Sequence, residues 1–390
     1  MKTHVFTNRV YPPVGGATGE LLKDLAEGLA AEGNRVVVIT SRGPDTLGLP
    51  HRETVNGVEL IRVGSAPFTR ASHWRRALSY ALLYPQFAWQ VWKLGNVDAV
   101  VSMTDPPLQV AAVTLASGRS RKRIHWAQDI YPELAEELGV IERAGFAARV
   151  LRAVSTRALR KQDEVVAVGR CMREKLIARG VNAGSIDVIP NWSPVGKPSD
   201  EAVAGMRKRM GWADKFIVLY SGNIGLAHDF ATIVEAAKIL RGGRVHIVFA
   251  GEGQRAEEVK AALSGIANVS FVPPQPKQDL AAFLAAADLH LVTVRESLAG
   301  LVVPSKIYGI MAAGRPVIYV GPEESEAGLL IAKCGAGLVF CNGNAAGVAS
   351  ALEELERDRP RVAEMGSIAE QAAGEFTFGK ALGRWKEILG

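Results

Sequence analysis

The sequence predicts two α/β domains, each built on a doubly wound, mostly parallel sheet. With 390 residues, 48% of them hydrophobic, the chain is too long for one comfortable core. Apolar runs of strand length alternate with amphipathic helical segments, and many of the 40 glycines follow those runs, where tight turns need them. The alternation stops at a stretch rich in proline and serine, residues 191–201, and then restarts. We therefore expect two Rossmann-like lobes that face a central cleft.

The first domain is predicted to span residues 1–195. It opens with the strand HVFT, a glycine-rich loop, a helix with leucines at helical spacing and the strand RVVVIT, which together form a βαβ unit. Further strands are predicted at residues 97–103, 123–128, 163–169 and 185–191.

The second domain, residues 200–372, repeats the same pattern. Its predicted strands, each followed by a helical segment, are FIVLYS, VHIVFA, VSFV and LHLVTV. Residues 373–390 form an amphipathic helix, which we expect to cross back to the first lobe.

Composition narrows the function classes only partly. The net charge of +6 suits an anionic partner, but it fits nucleic acid, phosphorylated metabolites and acidic membranes equally well. The three cysteines are spaced for neither a zinc site nor a disulfide framework, which is typical of a reducing compartment. No signal peptide, membrane span or nucleic-acid-binding motif is recognisable. We therefore expect a soluble or peripheral protein that does not bind nucleic acid.

The segment VVPSKIYGIMAAGRPVIYV, residues 302–320, is predicted to contain a helix that begins at an anion site. Pro304 suits the first helical turn because it has no N–H to leave unpaired, and Gly314 suits the C-terminal stop. Ser305 and Lys306 then fall in the first turn, where free backbone N–H groups attract phosphate. A lysine here opposes the helix dipole and therefore indicates an anionic ligand. The alternative is a solvated lysine on a helix of the core.

Three glycine-rich turns follow predicted strands. They are PVGGATG at residues 13–19, SGNIG at 221–225 and GEGQR at 251–255. The first two fit either tight-turn geometry or close approach of a ligand, whereas we expect the third to be structural. None has the GxGxxG spacing, and the second strand leads to Ser41 rather than to an acidic residue, so a nicotinamide cofactor is not expected.

Taken together, these motifs resemble the family 4 glycosyltransferases of the GT-B fold over essentially the whole chain. The segments that carry the resemblance are PPVGGATG, VIPNW, YSGNIG, IVFAGEG, NVSFVPPQPKQDLAAFLAAADLHLV and VPSKIYGIMAAGRPVI. The last segment is the most specific of them. The sequence is especially similar to the bacterial branch that builds O-antigen, capsule and exopolysaccharide repeat units on a polyprenyl carrier.

The resemblance implies a nucleotide-diphosphosugar donor, here taken as UDP-linked, held mainly by the second lobe. It also implies retention of the anomeric configuration and no need for a metal ion or cofactor. The implied donor-binding residues are Gly15, Gly16, Gly222, Asn223, His228, Pro304, Ser305 and Lys306. Lys306 is also a predicted catalytic residue, because negative charge grows on the departing nucleoside diphosphate and a cation must meet it in the transition state.

Two positions depart from the family pattern. Many relatives carry a glutamate that contacts the ribose five residues before the position of Gly314, where this chain has Gly309. Many also place an arginine and a lysine after the turn that matches SGNIG, where this chain reads LAHDF. His228 is then either a weaker phosphate partner or an ordinary residue at the start of a helix.

Asp129 is the predicted catalytic carboxylate of the first lobe. It follows a predicted strand at a place where many family members carry a histidine or an aspartate near the reacting sugar. A carboxylate there can orient or deprotonate the acceptor hydroxyl. The alternative is an N-cap of the helix that Pro132 and Glu133 open. His125 and Glu133 are further candidates for the catalytic group.

The stretch from residue 70 to residue 95 combines aromatic rings with cations. Such a helix, too short on apolar residues to span a membrane, suits a lipid interface. The residues predicted to contact the acceptor or an anionic membrane are Trp74, Arg75, Arg76, Trp89 and Trp92. The alternative is ordinary packing of the rings against the sheet. The membrane reading predicts a cytoplasmic protein that is peripheral on the inner face of the plasma membrane.

The predicted function is therefore transfer of a sugar to a saccharide linked to polyprenyl diphosphate, in surface polysaccharide biosynthesis. Two alternatives stay open. One is a non-hydrolysing sugar-nucleotide epimerase of the same architecture, and the other is a non-catalytic two-lobed protein that binds a sugar nucleotide.

Overall fold

The chain divides into two compact units. The computed structural model describes residues 1–43, 46–65, 73–193 and 195–390, without the side chains of residues 65 and 73–77. The N-terminal unit comprises Met1–Asn191, Gly300–Val302 and Phe378–Gly390. The C-terminal unit comprises Trp192–Ala299 and Val303–Thr377.

The described residues of the N-terminal unit form an eight-stranded sheet. Its strands are β1 (Thr3–Thr7), β2 (Arg35–Arg42), β3 (Arg52–Val55), β4 (Val58–Ser65), β5 (Ala99–Met103), β6 (Lys122–Ala127), β7 (Glu164–Ala167) and β8 (Ile186–Val188). The spatial order is β3-β4-β2-β1-β5-β6-β7-β8. Neighbouring strands pair in parallel, except that β3 runs antiparallel to β4.

The hairpin of β3 and β4 was absent from the sequence prediction. Its turn consists of Asn56 and Gly57, both at positive φ (49° and 82°). Asn-Gly is the dipeptide that two-residue hairpin turns prefer, because both central positions need positive φ. The sequence VNGVEL therefore contained the signal for this edge hairpin.

The C-terminal unit carries a six-stranded, fully parallel sheet. Its strands are β9 (Phe216–Ser221), β10 (Val245–Ala250), β11 (Val269–Val272), β12 (Leu289–Thr293), β13 (Val317–Val320) and β14 (Gly337–Phe340), in the spatial order β11-β10-β9-β12-β13-β14. Every residue of the central strands β12 and β13 is buried, as expected when helices cover both faces of a parallel sheet. Two α/β sheets, one mostly and one fully parallel, confirm the predicted fold class.

Helices cover both sheets. In chain order the described α-helices are α1 (Ala17–Ala31), α2 (His73–Leu94), α3 (Gln109–Ala116), α4 (Glu133–Glu137), α5 (Phe146–Leu159), α6 (Arg170–Ala178), α7 (Asp200–Met210), α8 (Ala231–Ile239), α9 (Ala256–Ala262), α10 (Leu280–Ala286), α11 (Lys306–Ala312), α12 (Glu326–Cys334), α13 (Ala345–Arg357), α14 (Arg359–Ala373) and α15 (Phe378–Leu389). Within the part of the chain that the structure describes, no helix has both the length and the apolar character needed to cross a bilayer.

In each sheet the strand order reverses beside the first strand of the unit. The reversal lies between β1 and β5 in the N-terminal unit and between β9 and β12 in the C-terminal unit. Open α/β sheets bind ligands beyond the carboxyl ends of the strands at such a switch point. The loops that follow these four strands are therefore the places to look for a site.

The closing helix α15 belongs to the N-terminal unit. Trp385 is fully buried, and its ring meets that of Trp126 in β6 at 4.8 Å between centroids. Gly28 of α1 leaves room for Phe378, because a Cβ there would lie 2.6 Å from its ring. The helix therefore contributes directly to the core of this unit.

We expect Trp385→Ala to lower the free energy of unfolding by about 3–5 kcal/mol, because a fully buried indole leaves a cavity. Denaturant unfolding followed by circular dichroism measures the loss. The matched control is Trp89→Ala, whose ring is 51% exposed, with a loss under about 1 kcal/mol. Equal losses in the two variants would contradict the packing described for α15.

Candidate active site

The loop after β9 is held in place by the backbone of the next turn along the sheet. The Gly222 N–H donates to the Ala250 carbonyl at 2.9 Å, and the Gly222 φ of 131° favours glycine. A Cβ on Gly251 would lie only 1.9 Å from the Gly222 oxygen. The exposed Asn223 receives a hydrogen bond at its carbonyl from the Tyr220 hydroxyl at 2.7 Å. The GEGQR turn thus supports the SGNIG turn from below, as its structural interpretation requires.

Helix α11 begins at Lys306, which corrects the predicted start. Pro304 and Ser305 precede the helix, and Ser305 is the cap residue without a side-chain hydrogen bond. The first turn is tight, with the Ile307 N–H bonded to the Pro304 carbonyl three residues back. Gly314, with φ of 67°, follows the last helical turn as predicted.

Lys306 points its ammonium group into the protein rather than into solvent. The Nζ atom is buried and has no hydrogen-bond partner among the described residues. It lies 3.8 Å from the centroid of the Tyr220 ring and 3.2 Å from where a Cβ on Gly222 would stand. Burial lowers the pKa of Lys306 to about 7. The solvated-lysine alternative is therefore wrong, and an unpaired cation lies directly against the glycine turn.

His228 joins the loop after β9 to the end of β12. Its Nδ1 lies 2.6 Å from the Thr293 carbonyl oxygen, which can only accept, so Nδ1 carries the hydrogen and neutral Nε2 is left as an acceptor. Burial, followed by the charge of Lys306, lowers the pKa of His228 to about 4. The imidazole is neutral at physiological pH, and its hydrogen bond connects the loop after β9 with β12 at the switch point. Its contact with phosphate stays a prediction.

In the N-terminal unit, Gly15 and Gly16 lie in the loop between β1 and α1. Gly16 is the residue before the helix, and no side chain caps that helix start. A Cβ on Gly15 would meet no atom within 4 Å, so packing does not require glycine there. Across the switch point the Arg9 Nε donates to Asp105 Oδ1 at 2.6 Å. Asp105 is therefore occupied by an ion pair.

Asp129 lies just beyond the carboxyl end of β6. It forms an isolated antiparallel bridge with Val302, beside a hydrogen bond from the Ile130 N–H to the Leu301 carbonyl at 3.0 Å. No described residue donates a hydrogen bond to its carboxylate. Burial, followed by the nearby carboxylate of Asp105, raises the pKa of Asp129 to about 7.

The N-cap alternative for Asp129 is wrong. Helix α4 starts at Glu133 with Pro132 as its cap residue, so Asp129 lies too far upstream to cap it. Glu133 instead pairs with Arg152 at 3.0 Å and with Arg179 at 3.3 Å. The two further candidates are therefore engaged elsewhere: His125 is buried against the Ser102 hydroxyl at 3.1 Å, and Glu133 lies between two arginines.

Two tryptophans of α2 face outward. Trp89 and Trp92 are 51% and 47% exposed, and their rings stack at 4.9 Å. Lys93 lies 5.2 Å from the Trp89 ring, and Arg119 lies 5.7 Å from the Trp92 ring. These two rings therefore do not pack against the sheet. The side chains of Trp74, Arg75 and Arg76 are outside the described part of α2.

Two functional features were missed by the sequence analysis. Tyr220 provides the ring under Lys306, and Thr293 provides the carbonyl that fixes His228. Both stand at the ends of buried strands, where the apolar pattern hides them. Among the described residues, no group of three or more His, Cys, Asp or Glu side chains is arranged to hold a metal ion.

Two family models match successive parts of the chain. The Glycosyl transferase 4-like domain matches residues 16–192, and Glycosyl transferases group 1 matches residues 215–358. The chain belongs to the family 4 glycosyltransferases of the GT-B fold. This glycosyltransferase is an enzyme, so the binding-protein alternative is not retained, and the epimerase alternative has no support from the matched families.

Curated relatives of the glycosyltransferase agree with this assignment. The putative colanic acid biosynthesis glycosyl transferase WcaI of Escherichia coli K12 is 28% identical over 341 residues, which cover 82% of this chain and 83% of that protein. The probable glycosyltransferase WbjE of Pseudomonas aeruginosa is 29% identical over 246 residues, 62% of this chain and 61% of that protein.

Solved structures share the whole fold. HepE from Anabaena, crystallised with UDP and glucose, superposes with a TM-score of 0.76 at 17% identity, covering 100% of this chain and 99% of HepE. Sucrose-phosphate synthase from Thermosynechococcus elongatus gives a TM-score of 0.80 at 18% identity, with coverage of 100% and 98%. At such low sequence identities these neighbours support the fold assignment alone.

We expect Gly251→Ala to destabilise the glycosyltransferase by about 1–3 kcal/mol, because the new methyl group collides with the Gly222 carbonyl. Denaturant unfolding measures the change. Gly15→Ala is the control: its methyl group enters open space, so stability should change by less than about 0.5 kcal/mol. A fully tolerated alanine at position 251 would refute the close contact between the two turns.

Proposed function

We propose that this glycosyltransferase transfers a sugar from a UDP-linked donor to a saccharide carried on polyprenyl diphosphate. Transfer would retain the anomeric configuration and need no metal ion. The observation that carries the proposal is the Lys306 ammonium, which is buried, has no hydrogen-bond partner among the described residues and lies against the Gly222 turn at the switch point.

A buried cation without a counter-charge is unfavourable in the free protein. Moving an ammonium group out of water costs free energy unless an anion or hydrogen bonds replace the lost hydration. The Tyr220 ring offsets only part of that cost. A diphosphate seated beside Gly222 would provide the missing charge. Because the leaving nucleoside diphosphate gains negative charge as the glycosidic bond breaks, the same cation would stabilise the transition state more than the ground state.

The named relatives support the donor and the pathway class. HepE is crystallised with UDP and with UDP-glucose, and a UDP donor is the simplest extension to this chain. WcaI is a putative colanic acid biosynthesis glycosyl transferase. WaaG, a further solved structure with a TM-score of 0.68 at 18% identity, is a glycosyltransferase involved in lipopolysaccharide biosynthesis. Colanic acid and lipopolysaccharide are both surface polysaccharides. Their biosynthesis is consistent with the lipid-linked acceptor that the sequence resemblance implies.

Gly15 and Gly16 would let backbone approach the donor, while Asn223, Pro304 and Ser305 would surround its phosphates. In the role proposed here His228 accepts rather than donates a hydrogen bond at Nε2, because its Nδ1 hydrogen is already used. It would therefore suit a donor hydroxyl better than a phosphate oxygen.

Asp129 would orient the acceptor hydroxyl and accept its proton. Its pKa of about 7 places the carboxylate near the value that suits a general base at neutral pH. Its carboxylate has no hydrogen-bond donor among the described residues, so it is available to a substrate hydroxyl.

The acceptor would reach the enzyme at the cytoplasmic face of the plasma membrane. Trp89 and Trp92 are exposed beside Lys93 and Arg119, a combination that suits an anionic lipid interface. In this proposal the protein is peripheral, and its N-terminal unit meets the lipid.

A donor screen tests the whole proposal. Purified protein is given a panel of UDP- and GDP-sugars with a synthetic polyprenyl-diphosphate saccharide, and products are identified by mass spectrometry, with the anomeric configuration read by NMR. We expect one UDP-sugar to be transferred with retention, at a rate that a metal chelator leaves unchanged. Loss of turnover on chelation, or an inverted product, would contradict the corresponding part of the proposal.

We expect Lys306→Met to lower turnover at least about tenfold, equivalent to about 1.4 kcal/mol of barrier, and to weaken UDP binding measured by calorimetry. The same variant should be more stable than wild type without ligand at pH 6.5, by about 1–3 kcal/mol. The folded pKa lies near 7, below the ordinary 10.5, so the cost of the buried charge is fully present below pH 7 and fades as pH rises toward 10.5.

The matched control for that variant is Lys333→Met, an exposed lysine of α12 in the same unit. It should leave turnover, UDP affinity and stability unchanged. A Lys306→Met protein with wild-type turnover would remove the proposed donor site.

We expect Asp129→Asn to lower the transfer rate at least about tenfold while UDP affinity stays at the wild-type value. The folded pKa near 7 exceeds the ordinary 3.8, so ionisation of Asp129 lowers stability as pH rises from about 4 to 7. The amide cannot ionise, so the variant should match or exceed wild-type stability at pH 8.

Asp187→Asn, which breaks a half-exposed ion pair with Arg384, is the control. Reduced stability with unaltered transfer would make Asp129 a structural residue.

A further inference from the structure

We propose that helices α2, α3 and α5 of the N-terminal unit form one docking face for an anionic lipid bilayer, with α5 as a second anchor beside α2. We call this surface the three-helix face. The inference rests on the proposed function, in which membrane lipid carries the acceptor. The sequence pattern indicated only α2 as a membrane contact, whereas the exposed apolar residues of α3 and α5 are visible in the structure.

Helix α5 has three of its larger apolar side chains on the outside. Its buried positions are Ala148, Ser155, Ala158 and Leu159. Phe146, Val150 and Val154 are exposed instead, and their spacing of four residues places them along one stripe. Phe146 alone is 80% exposed. An ordinary surface helix turns such a stripe toward the core, so this one is suited to an apolar environment outside the protein.

The three helices lack acidic residues altogether. Their sequences contain no Asp or Glu over 22, 8 and 14 residues, whereas 40 of the 390 residues of the chain are acidic. At that frequency of about one in ten, about four or five would be expected. These three helices therefore offer no carboxylate of their own for an anionic surface to repel. The neighbouring helix α4 does carry acids, of which Glu133 and Glu136 are ion-paired with Arg152 of α5.

Unpaired cations stand among the exposed apolar residues of α5. Arg149, Arg157 and Lys161 are exposed, and none has an ion-pair partner among the described residues. The three also line an open groove along the helix. Apolar side chains that enter a bilayer, flanked by arginines at the level of the phosphates, are the features by which amphipathic helices bind anionic membranes. A protein partner of ordinary mixed charge would not explain the missing acids.

The exposed features of the separate helices belong to one side of the sheet. Helix α3 packs against both α2 and α5, and its Leu115 is 82% exposed. On α2 the stacked Trp89 and Trp92 continue the apolar surface, and Arg119, just after α3, lies over the Trp92 ring. Charge complementarity and continuity across three neighbouring helices thus point to one occupant, a bilayer with anionic lipids.

The test is co-sedimentation of the full chain with vesicles of phosphatidylcholine alone or of phosphatidylcholine with phosphatidylglycerol. Wild-type protein should sediment with the anionic vesicles and much less with the neutral ones. Arg149→Ala with Arg157→Ala should lower partitioning about tenfold or more, because each basic residue near an anionic leaflet adds to binding. Phe146→Ser with Val150→Ser should lower it on anionic vesicles as well.

The matched control is Arg241→Ala with Arg244→Ala, two exposed arginines of the C-terminal unit that remove the same charge elsewhere. This control should partition like wild type. Wild-type partitioning of both α5 variants would overturn the role of α5, even if Trp89→Ser with Trp92→Ser abolished binding. A change in oligomeric state by light scattering, without a change in vesicle binding, would make the face a protein interface and would also overturn the proposal.

Failure of the docking face and failure of the proposed function are distinguishable. All α5 variants should keep wild-type UDP affinity by calorimetry, because they lie outside the donor site. If the protein binds anionic vesicles but transfers no sugar to a lipid-linked acceptor, the proposed function is refuted and the proposed role of the three-helix face is retained. If the protein transfers sugar to that acceptor but does not sediment with anionic vesicles, only the proposed role of the three-helix face is refuted.

Discussion

The proposed donor site depends on one unpaired buried charge. Lys306 holds its ammonium group over the Tyr220 ring and against Gly222, where no described residue gives it a hydrogen bond. Two further features follow from that arrangement. The turn at Gly222 must stay free of side chains, because a Cβ on Gly222 would stand 3.2 Å from the Lys306 Nζ. The neutral state of His228 also follows in part, because the nearby lysine charge adds to burial in lowering the pKa of His228.

The N-terminal unit contains an acidic counterpart of Lys306, the carboxylate of Asp129. Asp129 is a half-buried acid to which no described residue donates a hydrogen bond, and burial raises the pKa of Asp129 as burial lowers the pKa of Lys306. The stability cost of Asp129 grows from about pH 4 and is complete above about pH 7, whereas the cost of Lys306 is complete below about pH 7 and fades toward pH 10.5. Folding alone therefore explains neither group. Groups that persist at a cost to stability are typical of functional sites, where a substrate supplies what the protein withholds.

Much of the architecture could be predicted, because buried parallel strands and amphipathic helices leave strong periodic signals. The glycine turn at residues 221–225 and the segment around Lys306 were recognisable as motifs for the same reason. The edge hairpin at Asn56 was missed although its Asn-Gly turn is a local signal, since its strands lack the apolar runs of a buried sheet. The start of α11 was placed too early, because sequence gives no measure of a tight first turn.

The parts of the site that escaped prediction depend on tertiary contacts. Sequence alone could not place Tyr220 under Lys306, because the two residues are brought together only by the packing of α11 near β9. Nor could it tell which side of α5 is buried. The apolar stripe of Phe146, Val150 and Val154 would by its periodicity face the core, whereas the structure turns it outward.

The most direct test of the central claim is an NMR titration of the Lys306 side-chain amine, with and without UDP. The account predicts a pKa near 7 in the free protein, raised by several units when UDP binds, because the diphosphate then supplies the counter-charge. An ordinary lysine pKa near 10.5 in the free protein, or a low value that UDP leaves unchanged, would contradict it.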